Sequence, residues 1–309
     1  MKNKKIFVAM STFGEYGQAP LKLLQESGFS YSLNPLKRRP NPKEIVEMAK
    51  DCEGIIAGVE LYDAKVLDQL PKLQCLSRCG VGIDNIDLEK AKAKKIAVLN
   101  TPDVVVQPVA ELTLAMIFDL LRNVTAQTLR MKAKKWEKQA GSLLGGKKIG
   151  ILGLGRIGKR IAELLRKLDA EVLGADLYPD KAWAATQGVT LLSIEELIET
   201  SDILSIHLSV LKDNPFQLGK KEFLSMKKGA MLINVSRGSL IDEDALYEAL
   251  KSGHLSGAAL DVFQEEPYVG ELTGLDNVIL TPHIATLTEQ SRLQMETEAV
   301  QNLIRYFQE

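Results

Sequence analysis

Three side chains in the last quarter of the chain are of types that act on a carbonyl group: Arg237 in SRGSLIDEDAL, Glu266 in QEEPY and His283 in TPHIATLT. Reduction of a 2-keto acid needs a cation to hold the carboxylate and polarise the carbonyl, and an acid to protonate the oxygen as hydride arrives. Arginine suits the first task through its planar bidentate fork, and histidine the second through its near-neutral pKa. A carboxylate beside that histidine fixes its tautomer and favours its protonated form. Each residue also has a plainer reading: His283 as a cap between strand and helix, Arg237 as a helix-entry ion pair, Glu266 as a solvated loop acid.

A hydride source is legible further upstream. The stretch KKIGILGLGRIGKRIAELLRKLDAEVLGAD, Lys147 to Asp176, sets Gly153-x-Gly155-x-x-Gly158 where an apolar run ends and an amphipathic helix begins. The first glycine permits a tight turn, the second lets a pyrophosphate approach the backbone, and the third lets helix and strand pack closely. The helix N-terminus offers N–H groups and a positive dipole end to the phosphates. Asp176, 18 residues after the last glycine, would accept hydrogen bonds from a ribose 2′-hydroxyl and repel a 2′-phosphate. That favours NAD over NADP. A lone glycine motif says little, since methyltransferases and flavoproteins use similar turns. Strand, helix and acid together point to a dinucleotide.

The elements that must position these groups alternate along the chain. KIFVAM, GIIAG, LQCLSRCG and IAVLN are short β-type runs in the first hundred residues, with helix-like segments such as Lys43 to Cys52 and Ala64 to Gln69 between them. An apolar helix begins near Val109, and then KKIGILGL, EVLGAD, DILSIHL, GAMLINVS, GAALDVF and NVILTPH repeat the pattern. In the segment Arg156 to Leu168, Ile157, Ile161, Leu164, Leu165 and Leu168 share one helix face. The alternation predicts an α/β fold of two doubly wound, Rossmann-like parallel-sheet domains. A final helix over about 289 to 307 has no strand after it and is expected to pack back on the first unit. Ligands collect at the carboxyl ends of parallel strands, which here carry Asp176, His207, Arg237, Asp261 and His283.

Composition excludes several other classes. The chain has 309 residues, 45% hydrophobic and 26% charged, with a net charge of -1, so no bulk pull toward nucleic acid is expected. The most apolar long segment, Val104 to Leu121, is interrupted by Glu111 and Asp119 and falls short of a membrane span. The run Ile6 to Met10 is too short for a signal peptide. Cys52, Cys75 and Cys79 lack a second pair at metal-ligand spacing and read as reduced structural thiols, with no metal expected and a cytoplasmic location.

GLGRIG, INVSRGSLIDEDALYEALKSGHLSGAALDVFQEEP and NVILTPHIA together resemble the D-isomer-specific 2-hydroxyacid dehydrogenase family, its phosphoglycerate dehydrogenase branch most of all. SRCGVGIDNIDLEKA and NTPDVVVQPVAELTLAMIFDLLR extend the likeness over almost the whole chain. The resemblance implies that Arg237 binds the substrate carboxylate and carbonyl, that His283 is the general acid/base, and that Glu266 pairs with it. It implies that Arg156 and Ile157 meet the cofactor phosphates, Asp176 the adenosine ribose and Asp261 the nicotinamide carboxamide. Val235 and Ser236 would flank the nicotinamide, and His207 would lie beside the nucleotide. The loop Arg78 to Gly82, with Gly80 and Val81, would present backbone N–H groups to the carboxylate. The implied organisation is a substrate-binding domain over residues 1–100 and 286–309, an NAD-binding domain over 101–285, a cleft between them, and a homodimer built through the long helix. No regulatory serine-binding domain is expected.

The sequence departs from that resemblance in places. Where relatives place an arginine after the IIA strand for a substrate phosphate, this chain reads GIIAGVELYDA, with Gly58 and Glu60; Arg38 and Arg39 are the candidate replacements. The segment Val104 to Val106 is more apolar than usual, Ile-Ala-Thr-Leu follows His283, and LSVLKDNPFQLGKKEF after His207 lacks the usual Pro and Thr. Two readings follow: an NAD-dependent oxidoreductase acting on a small D-2-hydroxy acid or its keto acid, or an NAD(H)-sensing interaction protein resembling the family's corepressors.

Overall fold

The computed structural model describes residues 4–210 and 216–308. The chain divides into two compact units: one runs to Val105 and resumes at Thr286, and the other spans Val106–Ala285.

The first unit is built on β1 (Lys5–Val8), β2 (Ser30–Leu33), β3 (Gly54–Ala57), β4 (Cys75–Arg78) and β5 (Ala97–Leu99). Its sheet runs β2-β1-β3-β4-β5, with all pairs parallel. All four residues of β3 are buried, as expected of a central parallel strand covered on both faces. Phe7, Ile55, Ala57 and Leu76 pack with Ile45 and Ala49 of the helix Pro42–Ala49, and with Val66 and Leu67 of the helix Ala64–Asp68. The last helix, Glu289–Gln308, returns to this unit as expected. The Ser77 hydroxyl donates to Ala299 O at 2.9 Å, and Phe307 meets Phe29 edge-on at 5.8 Å.

The second unit holds β6 (Lys148–Leu152), β7 (Glu171–Ala175), β8 (Thr190–Leu191), β9 (Ile203–Ile206), β10 (Met231–Asn234), β11 (Gly257–Leu260) and β12 (Val278–Leu280). Their order is β12-β11-β10-β9-β6-β7-β8, again all parallel. Successive side chains of a strand point to opposite faces, and the core divides accordingly. Ile203, Ile233 and Ala259 join one cluster, and their neighbours Leu204, Leu232 and Ala258 join the other. The apolar helix begins at Val106, a turn earlier than its apolar pattern suggests, and ends at Arg122; it buries Val109, Ala110, Met116 and Ile117 in the first cluster.

The helix after the glycine turn ends at Arg166 rather than at Leu168. Asp169 takes a left-handed φ of 61° there and turns the chain into β7, leaving Leu168 largely exposed. Each sheet has one place where the strand order reverses, between β1 and β3 and between β6 and β9. Crevices for ligands open outside the carboxyl ends of strands at such points. Among the described residues, no helix is long and apolar enough to cross a membrane.

Candidate active site

The glycine turn follows β6, at the point where the second sheet reverses. Gly153 has φ +100°, and a Cβ there would lie 2.6 Å from His207 O, so both conformation and packing require glycine. A Cβ on Gly158 would lie 1.9 Å from Gly153 O, which makes this the close helix–strand contact. Gly155 differs: a Cβ there would meet nothing within 4 Å, and the residue is exposed. No internal contact demands a glycine at that position, whereas an anion pressed against the backbone does. Gly155 is also the N-cap of the helix Arg156–Arg166, whose first turn no side chain caps. Open backbone, uncapped helix end and the exposed or half-buried Arg156 and Ile157 fit a dinucleotide pyrophosphate.

Asp176 ends β7 half-buried. Its Oδ2 accepts the Leu154 N–H at 2.6 Å and its Oδ1 accepts the Tyr178 N–H at 2.9 Å. The carboxylate thus braces the glycine turn. His207 follows β9, and its Nε2 lies 2.7 Å from Ser205 Oγ. Part of its surface reaches solvent, yet protein so encloses the ring that desolvation pushes its pKa down to about 3. It is a neutral hydrogen-bonding group near neutral pH, unsuited to the task of general acid. Residues 211–215 of the unusual segment after His207 lie outside the described residues.

β10 delivers Val235, Ser236 and Arg237. The turn is organised by Asn234, a residue with no exposed surface whose role was not apparent from sequence. Its Oδ1 accepts the Ser236 N–H at 3.0 Å, and its Nδ2 donates to Arg237 O at 2.8 Å. The Ser236 hydroxyl donates to Ile206 O at 2.8 Å, tying the turn to β9, and the Arg237 guanidinium donates to Ser236 O at 2.7 Å. Val235 is buried. Next in the chain, Gly238 is required by packing, because a Cβ there would lie 1.9 Å from Phe263 C and 2.3 Å from Gln264 N. That contact sets the arginine turn directly on the loop that carries Glu266.

Glu266 and His283 meet. His283 Nδ1 lies 2.9 Å from Glu266 Oε2 and 3.2 Å from Oε1, with the side chains 40% and 37% exposed. Glu266 Oε1 also accepts the Phe263 N–H at 3.2 Å. With Nδ1 turned to the carboxylate, Nε2 is the ring atom left to face a ligand. His283 takes φ +55°, a left-handed conformation that histidine adopts more readily than most residues but that still needs support.

Asp261, fully buried at the end of β11, supplies that support. Its Oδ1 accepts the Thr281 hydroxyl at 2.6 Å and the Ile284 N–H at 2.8 Å, and its Oδ2 accepts the Ala285 N–H at 2.8 Å. The carboxylate expected to meet the nicotinamide carboxamide therefore anchors the histidine loop on both sides of His283. A single buried acid at the end of GAAL gives no sign of that in sequence. His254, expected in a surface turn, is half-buried with Nε2 3.1 Å from Met226 O.

In the first unit, the loop Arg78–Gly82 follows β4. The Cys79 N–H bonds Ala57 O at 2.8 Å, and the Arg78 guanidinium folds back to Cys79 O. Gly80 does not offer its N–H to a ligand as expected: it donates to the buried Thr101 Oγ1 at 2.8 Å, and Thr101 N–H returns a bond to Gly80 O at 3.1 Å. Val81 and Gly82, exposed and half-buried, donate no backbone hydrogen bond among the described residues. Cys75 and Cys79 are buried free thiols whose pKa burial pushes up to about 12, and burial pushes up that of Cys52 as well.

Residues 114–285 match the model of the D-isomer specific 2-hydroxyacid dehydrogenase NAD binding domain. The chain belongs to that family. Among the curated members it resembles, the D-3-phosphoglycerate dehydrogenase of Pongo abelii is 38% identical over 275 residues, covering 88% of this chain and 51% of that one. The chain thus spans about half the length of the phosphoglycerate dehydrogenases it matches. The glyoxylate reductase of Aeropyrum pernix is 34% identical over 322 residues, covering 100% of this chain and 94% of that one. The solved structure of D-lactate dehydrogenase from Aquifex aeolicus, complexed with NAD and lactic acid, superposes with a TM-score of 0.85 at 28% identity, covering 98% of this chain and 95% of that one. In this dehydrogenase family member, then, the second unit is an NAD-binding domain, and the open backbone at Gly155 lies within it.

Proposed function

We propose that the chain is an NAD-dependent oxidoreductase that interconverts a D-2-hydroxy acid and its 2-keto acid. The observation that carries this reading is the Glu266–His283 pair, set beside the Arg237 turn by the Gly238 contact within a family NAD-binding domain. Gly153, Gly155, Gly158, Arg156 and Ile157 would hold the NAD pyrophosphate, with Asp176 at the ribose, His207 beside the nucleotide, and Val235, Ser236 and Asp261 around the nicotinamide. Bound NAD supplies or accepts the hydride at C2.

The protein's own groups do the rest. Arg237 holds the carboxylate and draws electron density toward the carbonyl oxygen. Glu266 fixes His283 with a proton on Nδ1, so Nε2 donates the proton to the carbonyl oxygen in reduction and removes it from the hydroxyl in oxidation. The first unit, which contains residues 1–100 and 286–309, is the substrate-binding part in this reading. Its Val81 and Gly82 N–H groups receive the carboxylate, beside Arg78.

The helix Val124–Lys132 buries none of its residues, and Val124, Leu129, Met131, Trp136 and Leu143 are exposed. A second copy of the chain is the partner proposed to cover this apolar arm, giving a homodimer. Three buried reduced thiols suit a cytoplasmic location.

The test is NADH oxidation across a panel of 2-keto acids with His283→Asn as control. The variant should retain NADH binding and lose turnover by about a hundredfold or more, the scale of a lost general acid. Near-normal turnover in the variant would overturn the assignment of His283.

A further inference from the structure

The family members that resemble this chain include enzymes named for a phosphorylated acid and enzymes named for glyoxylate, and the first unit bears on which kind of substrate this chain takes. The reversal point of its sheet lies between β1 and β3, so the loop after β3 lines its ligand crevice. That loop carries Glu60, only 3% exposed. Its Oε2 accepts the Gly58 N–H at 2.6 Å, and a Cβ on Gly58 would lie 3.1 Å from Oε1, so the carboxyl group is folded tightly over the strand end.

Asn85 fastens this loop to the one that follows β4. Its Nδ2 donates to Glu60 O at 2.5 Å and lies 3.4 Å from Gly58 O, while Tyr62 N–H bonds Asn85 O at 2.8 Å. Glu60 therefore sits beside the Arg78–Gly82 loop.

Arg38, one candidate for a substrate phosphate, is committed elsewhere. Arg38 forms a two-pronged pair with Glu44 at 2.9 and 2.6 Å at the start of the helix Pro42–Ala49, and holds that carboxyl down at about 2. Arg39 and Arg78 both act on Glu60, offsetting part of the upward push that burial gives its carboxyl group.

We propose that Glu60 is a specificity residue that turns phosphorylated acids away, so that the substrate is a small 2-hydroxy or 2-keto acid whose only anionic group is its carboxylate. This rests on the dehydrogenase reading above. A carboxylate received by Val81 and Gly82 leaves the far end of a three-carbon substrate toward the β3 loop. A phosphate there would approach the Glu60 carboxylate buried at the strand end, with Arg38 committed to Glu44 and the charges of Arg39 and Arg78 already acting on Glu60.

The test compares hydroxypyruvate with 3-phosphohydroxypyruvate, which differ only in the phosphate, as substrates for NADH oxidation. The wild-type chain should favour hydroxypyruvate by at least about a hundredfold in kcat/KM. Glu60→Gln, whose amide oxygen still accepts the Gly58 N–H, should raise the phosphorylated-to-unphosphorylated ratio at least tenfold. Inhibition of the wild-type chain should follow the same order, D-glycerate stronger than 3-phospho-D-glycerate, which tests the idea even where the variant fails to fold. A wild-type preference for the phosphorylated acid, or an unchanged ratio in a folded Glu60→Gln, would overturn the inference while leaving the dehydrogenase reading intact. Turnover of neither acid, nor of any other 2-keto acid, would overturn both.

Discussion

Replacing Gly238 by alanine tests how the active site is assembled. The new methyl would start 1.9 Å from Phe263 C, 2.2 Å from Phe263 O and 2.3 Å from Gln264 N. All three are backbone atoms, so no flexible side chain can swing aside. Ordinary contact needs about 3.5 Å, so the arginine turn and the Phe263–Gln264 backbone must separate by about 1.5 Å. Overpacking of a core typically costs 1–3 kcal/mol, and a backbone-on-backbone clash belongs at the upper end, about 3 kcal/mol. The same movement carries Arg237 away from Glu266 and His283, and a misplacement of about 1 Å is enough to cost ~100-fold in rate. The glycine turn proposed to hold the cofactor pyrophosphate is elsewhere in the fold, so NADH should still bind, with reduced affinity where Val235 and Ser236 are proposed to flank the nicotinamide. The assay pairs urea unfolding with NADH titration and steady-state turnover, and Gly274→Ala, whose Cβ would meet nothing within 4 Å, serves as the control. A Gly238→Ala protein with wild-type stability and turnover would refute the claim that this contact sets the geometry.

Two further perturbations address the supporting groups. Asp261→Asn puts an amide NH₂ where either the Thr281 hydroxyl and the Ile284 N–H or the Ala285 N–H now donates; it should cost about 2–3 kcal/mol and speed hydrogen exchange at Ile284 or Ala285, whereas unchanged exchange at both would remove Asp261 as the anchor of the histidine loop. His207 predicts an acid weakness. Its pKa is held at about 3 in the folded chain, against an ordinary value of 6.5, so the unfolded chain binds the extra proton between those limits. The stability it contributes is complete above about pH 6.5 and is lost as pH falls toward 3. After allowance for partial exposure this amounts to about 2 kcal/mol, and His207→Gln should flatten the decline in urea-unfolding stability over that window; an identical slope would contradict the assignment.

The architecture was legible because its signals are local and repeated. Alternating β-type runs and helical faces predict two parallel sheets, and the strand-end rule picks out Arg237, Asp261 and His283. Glu266 was reached through the family resemblance. What stayed hidden depends on pairings across long stretches of sequence. Asn234 bracing the SRG turn, Asp261 bonding residues 20 to 24 positions away and Thr101 occupying the Gly80 N–H leave no periodic trace. The left-handed φ of His283 is equally silent, because histidine does not announce that conformation as glycine does. Glu60 was visible as a departure from the resemblance, but its burial and its hold on Gly58 came only from the fold.

The most direct test of the central claim is the configuration at C2 of the acid formed when the chain oxidises NADH with pyruvate or hydroxypyruvate. One equivalent of the D-2-hydroxy acid is expected for each NADH consumed. Formation of the L-acid or a racemate, or NADH consumption without any hydroxy acid, would contradict it.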